Sequence, residues 1–134
     1  MRTRRARVED QIQKAVFQHL RERGAPGSFA FHPANGGYRK PIEAAVMKGL
    51  GVRAGVPDVI VVKDGRTYAL ELKAPDGRVT EVQAGTAVEM RCAGAIVGVA
   101  YGLDDALHWL EKQGLLIGTA VLNTKRTAEP CETM

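Results

Sequence analysis

Apolar residues recur at helical spacing from Val8 to Arg23, where Val8, Ile12, Ala15, Val16 and Leu20 share one face and Gly24 with Pro26 ends the pattern. Ser28 to His32 (S-F-A-F-H) alternates in the manner of a short strand, and the P-A-N-G-G run after it is turn chemistry. A second, shorter helix is predicted over Pro41 to Leu50, with Pro41 in its first turn, Ile42, Ala45, Val46 and Leu50 on one face, and Gly49 and Gly51 closing it. Asp58 to Val62 (D-V-I-V-V) is a β-branched run, and Thr67 to Lys73 (T-Y-A-L-E-L-K) is its natural partner. The K-D-G-R between them carries a D-G hairpin signal, so antiparallel pairing is predicted. Thr80 to about Ala93 reads as a third helix, with Val79, Val82, Ala87 and Met90 apolar and Thr80 and Gln83 at capping-box spacing. Ile96 to Tyr101 is then a buried strand, and Leu103 to Gln113 a last helix that stops at Gly114.

The order αβαββαβα predicts an α/β fold, a central mixed sheet flanked by helices. With 134 residues, 45% hydrophobic and 25% charged, the chain has the size and composition of one globular domain. That domain is expected over residues 1–117, followed by a polar tail or partner-ordered extension over 118–134. No internal repeat is visible. The chain contains no apolar run near the roughly 18 residues of a membrane span and no apolar segment after its basic start, so a cytoplasmic protein is expected. Two cysteines, Cys92 and Cys131, lack C-x-x-C spacing and indicate neither a disulfide framework nor a zinc knuckle. The formal net charge is +4, and Arg2, Arg4, Arg5 and Arg7 lie within the first seven residues. Such a cluster favours polyanions, and a solvated terminus accounts for it equally well.

Candidate chemistry sits on the predicted hairpin. Side chains alternate along a strand, so Tyr68, Leu70 and Leu72 take one face and Ala69, Glu71 and Lys73 the other. At about 3.3 Å per residue, Glu71 and Lys73 start about 6 to 7 Å apart, in common reach of one metal-bound water. Asp58, at the start of the neighbouring strand, comes opposite or diagonal to Glu71. Two converging carboxylates with the Leu72 main-chain carbonyl are the oxygen donors that Mg²⁺ takes, and Lys73 would place or deprotonate an attacking water. E-x-K alone also fits an amphipathic edge strand with its charged face in water, and Asp58 after Pro57 fits an ordinary turn. The combination is more specific, because charged groups embedded in strongly apolar strands need a reason.

G-V-P-D-V-I-V-V followed by Y-A-L-E-L-K resembles the signature of the PD-(D/E)XK nuclease superfamily. G-V-R-A-G-V-P-D before the first strand, and E-L-K-A-P-D-G-R-V-T-E-V-Q after the second, are similar to the VRR-NUC family, and the resemblance runs from about Glu9 to Tyr101. It implies a restriction-endonuclease-like core, Mg²⁺ or Mn²⁺ dependence, and cleavage of DNA. Standalone phage or bacterial members that it resembles act as homodimers on branched DNA, Holliday junctions included. The resemblance places metal ligation on Asp58 and Glu71 and the catalytic ammonium on Lys73. It adds Glu9 from the first helix, as a group reaching the metal or its water shell, and Gln83 at the start of the third. A surface carboxylate and a capping-box glutamine are their ordinary roles.

Arg39, Lys40 and Arg53 flank the loop and the approach to Asp58 and are the candidate phosphate contacts. His32, Asn35 and Tyr38 share that loop, where strand-end and turn roles compete with substrate contact. Gly49, Gly51 and Gly55 follow no strand, which argues against a dinucleotide loop. Trp109, Leu107 and Leu110 are core or dimer-contact candidates. Two rival functions remain: a nucleic-acid-binding module that does not cut, and a sequence-specific endonuclease of restriction type.

Overall fold

The computed structural model describes residues 2–34 and 40–118. Helix α1 spans Arg4–Arg23. It starts ahead of its apolar stripe because the Thr3 hydroxyl accepts the Ala6 amide and caps it. The arginines so included are good helix formers, which a search for apolar periodicity passes over. There follow β1 (Phe29–Phe31), α2 (Pro41–Gly49), β2 (Val59–Lys63), β3 (Arg66–Lys73), α3 (Glu81–Cys92), β4 (Ile96–Tyr101) and α4 (Leu103–Lys112), the expected order.

The four strands form one sheet in the order β1-β2-β3-β4. β1 and β2 pair antiparallel, as do β2 and β3, whereas β3 and β4 are parallel, with α3 as the crossover that parallel pairing requires. Lys63 pairs with Arg66 around a two-residue turn. Asp64 and Gly65 both have positive φ, 52° and 74°, the backbone twist that a D-G hairpin provides. β3 is therefore a central strand, which excludes the edge-strand reading of Glu71 and Lys73.

One face of the sheet carries Val59, Val61, Tyr68, Leu70, Leu72 and Ala100, packed on Ile12, Val16 and Leu20 of α1 and Ala106 and Leu110 of α4. Trp109, partly buried against this core, lies so close to Gly98 of β4 that any Cβ there would overlap its indole. After α4 the chain returns to α1: Leu115 and Leu116 are buried and the Ile117 amide donates to Arg23 O. Arg23 itself is buried, donating to His19 Nδ1, Ile117 O and Glu111 Oε1.

Two apolar stripes differ from expectation. No residue of α2 is buried, and Ile42 and Val46 with the following Leu50 are 73%, 59% and 76% exposed, so the stripe exists but no described element covers it. In α3, Val82 and Val88 are exposed while the inward side is Gln83, Thr86, Ala87 and Met90. That side has helical spacing, but two of its four members are polar. Asn35, Tyr38, Arg39, Cys131 and the tail beyond residue 118 lie outside the described residues. Among the described residues, no helix is long and apolar enough to cross a membrane.

Candidate active site

Glu71 and Lys73 stand on the sheet face opposite the α1–α4 core, and each is only 6% exposed. Neighbouring strands and α3 bury them, so their charges are held out of bulk water. The register that pairs Val59 with Leu70 carries Asp58, one step before β2, to the position across from Glu71. There its Oδ2 accepts the Leu72 amide at 2.9 Å, which fixes one carboxylate oxygen against β3. His32, just beyond β1, sits with Nδ1 2.7 Å from the Asp58 carbonyl, and donates to it when that nitrogen carries the proton.

Glu71 Oε1 accepts from Gln83 Nε2 at 3.1 Å and lies 3.9 Å from Lys73 Nζ. The same glutamine caps α3. Its amide donates to Thr80 Oγ1, and its Oε1 accepts the Thr80 amide, closing a capping box. One side chain thus begins a helix and orients a buried carboxylate. Glu9 accepts the Ala74 amide through Oε2 at 3.1 Å, tying α1 to the residue after Lys73. Gly77 leaves room for it, since a Cβ there would lie 3.2 Å from that oxygen.

Burial pushes the Glu71 carboxyl up to about 8, helped by the charge of Asp58 and a hydrogen bond with it, while Lys73 pulls the other way. In the absence of a cation, then, Glu71 keeps its proton near neutral pH. Among the described residues, no three His, Cys, Asp or Glu side chains form a group able to hold a metal ion. What the chain presents is two adjoining carboxylates, Asp58 and Glu71, a donor pair made of oxygen alone. This donor chemistry fits a hard divalent cation in place of the retained proton.

The sequence-derived residues separate into two groups. Asp58, Glu71, Leu72, Lys73 and Gln83 are in mutual contact, with Glu9 at the adjoining residue Ala74. Of the candidate phosphate contacts, Arg53 pairs with Glu89 of α3 and Lys40 is exposed ahead of α2, and Arg39 is outside the described residues. Sequence reading missed the anchoring of Asp58 by His32. That contact depends on β1 pairing with β2, Phe31 against Ile60, and no local signal encodes it.

Among the solved structures that share this fold are two VRR_NUC domains. One, a "VRR_NUC domain protein", is 23% identical with a TM-score of 0.64, over 78% of this chain and 86% of its own. The other, a "VRR_NUC domain", is 19% identical with a TM-score of 0.54, over 77% of this chain and 94% of its own. At these identities the likeness is one of fold. No family model and no curated protein matches the chain.

Proposed function

We propose that this chain is a Mg²⁺- or Mn²⁺-dependent endonuclease that hydrolyses DNA phosphodiester bonds, acting as a homodimer on branched DNA such as Holliday junctions. The observation that carries the reading is the burial of Glu71 and Lys73 side by side on the central strand with Asp58 held against them. A purely structural role does not account for two ionisable groups at that position, because each costs desolvation energy that an apolar pair would not. The likeness of fold to VRR_NUC domains supports the same reading.

Asp58, Glu71 and the Leu72 carbonyl would hold the cation, with Glu9 near its water shell. When bound, the cation supplies charge stabilisation at the phosphate and a more acidic water. The chain's own residues do the rest. The Leu72 amide holds Asp58, and Gln83 holds Glu71, so neither carboxylate has to reorganise during the reaction. Lys73, close to Glu71 Oε1, orients the attacking water and balances charge as the water oxygen bonds phosphorus, its proton passes to solvent, and the leaving oxygen departs and takes a proton from solvent. The exposed apolar stripe of α2, together with Phe29 and Phe31 on the edge strand, is the kind of surface that a second copy would cover. Cys92, free and exposed, suits a reducing cytoplasm.

The test is cleavage of labelled linear duplex, single strand, flap and four-way junction with Mg²⁺, Mn²⁺ or EDTA, with Lys73→Ala as control. Metal-dependent cutting that is lost in the variant and strongest on the junction is expected. Binding without cutting in either metal would replace the nuclease by a binding module, and defined fragments from plain duplex would favour a restriction-type enzyme. Sedimentation with and without junction DNA tests the dimer, which a monomer in both conditions refutes.

A further inference from the structure

Beside the carboxylate cluster, the first turn of α1 and the loop after β3 bound a cleft of about 650 Å³, lined by Thr3, Arg4, Arg5, Ala74, Pro75 and Asp76. Ala74 follows Lys73 directly and its amide donates to Glu9, so the cleft opens at the end of β3, next to the last residue of the strand that carries Glu71 and Lys73. Arg5 Nη2 lies 3.3 Å from Asp76 Oδ2, and both side chains are more than half exposed. The hydrogen bond and charge of Arg5 hold the Asp76 carboxyl below its usual range, and Arg4 acts on it in the same direction. Two guanidinium groups therefore bear on one carboxylate. Arg4 has no ion pair of its own among the described residues.

We propose that this cleft is a DNA backbone subsite, in which Arg4 and Arg5 take a phosphate of the strand leaving the carboxylate cluster past Lys73 and Ala74, in exchange for Asp76. The proposal rests on the nuclease reading for its register with the cut, though not for its chemistry. An exposed ion pair contributes little to stability, so the carboxylate yields readily. A DNA phosphate presents two charged oxygens to a guanidinium fork, as the carboxylate does, and its binding also releases counterions from the polyanion. One DNA strand carries a charge about every 3.4 Å along the axis, which brings phosphates near the scissile one within reach of the cleft. Asp76 thus holds Arg5 in place on the free protein and gives way to the substrate.

The experiment measures equilibrium binding of a labelled duplex and a labelled four-way junction, in EDTA across a salt series, alongside cleavage in Mg²⁺. The proteins are wild type, the double variant Arg4→Gln/Arg5→Gln, Asp76→Asn and Arg21→Gln. Arg21 is an exposed cation about 24 Å further along the same helix and controls for general charge. Loss of two phosphate contacts should lower the slope of log K against log salt by about 1.8 on duplex and weaken binding on the order of tenfold near 0.1 M salt. Asp76→Asn should tighten binding and Arg21→Gln should leave both quantities unchanged. An unaltered slope in the double variant, an equal loss in Arg21→Gln, or no gain in Asp76→Asn overturns the proposal. If cutting is normal and the slope does not move, only the cleft fails. If the binding shifts appear without any cutting, the nuclease reading fails and the cleft stands. No DNA binding by the wild type removes both.

Discussion

Replacing Glu71 with glutamine should stabilise the metal-free protein at neutral pH, against the usual cost of changing a buried residue. The carboxyl titrates near 4.5 in the unfolded chain and is pushed up to about 8 in the fold. A folded-state value raised in this way favours folding fully below 4.5, and that contribution drains away as pH rises through about 8. At pH 7 the unfolded chain has gained 7 − 4.5 = 2.5 units of ionisation that the fold resists. This sets a ceiling of roughly 3 kcal/mol. Glutamine keeps the shape and the acceptor for Gln83 without ionising in either state. Allowing for relaxation of Asp58 and Lys73, the gain should be about 2–3 kcal/mol, or roughly 8–12 °C in Tm for a domain of this size. Thermal unfolding followed by circular dichroism in EDTA, at steps from pH 4.5 to 8, measures it. The two proteins should coincide at the acid end and diverge as pH rises, and added Mg²⁺ should raise Tm in the wild type only. A variant no more stable than wild type at pH 7–8, or a gap that does not change with pH, would refute the reasoning.

Other outcomes follow from the same contacts. Lys73→Met should lower single-turnover cleavage by about 10²–10⁴-fold while leaving the far-ultraviolet spectrum intact; activity within tenfold of wild type would remove the lysine from the chemistry. Gln83→Ala loses a helix cap and an orienting hydrogen bond together, and should cost about 1 kcal/mol in urea unfolding and 10–100-fold in cleavage, whereas loss of stability alone would leave it only a cap. Arg23→Met strands the Ile117 carbonyl and Glu111, so a cost of about 2–3 kcal/mol is expected from the denaturation midpoint, with cleavage per folded molecule unchanged. Gly98→Ala forces a methyl into the Trp109 indole and should cost about 1–3 kcal/mol, with a shift in tryptophan fluorescence.

The hairpin was legible in the sequence because its cues are local: β-branched runs, and a D-G pair whose positive φ angles the turn requires. The same holds for the alternation that sends Glu71 and Lys73 to one face. That the hairpin strands are central was legible, but which strands flank β3 was not. Nothing near E-L-K says that β3 lies between β2 and β4, and that placement converts a plausible solvated pair into a buried one. The inward side of α3 escaped an apolar search because Gln83 and Thr86 point there to make hydrogen bonds, to Glu71 and to Ala54 O. Conversely, the stripe of α2 was read correctly as a pattern, but a pattern cannot say what covers it. Glu9 was named through resemblance, and its contact with Ala74 spans 65 positions that no periodicity links.

The interior position of β3 also governs when the site can exist. Its amides are locked between two strands and beneath α1, so they belong to the part of the molecule expected to exchange with deuterium only on global opening. Glu71 and Lys73 are two steps apart on that strand, and Asp58 reaches them only once β2 has zipped alongside. A nascent, nicked or half-unfolded chain therefore presents the carboxylates unassembled. On the proposed function, hydrolytic capacity would be all-or-none with folding, and a degradation fragment of the chain would carry no residual power to damage DNA.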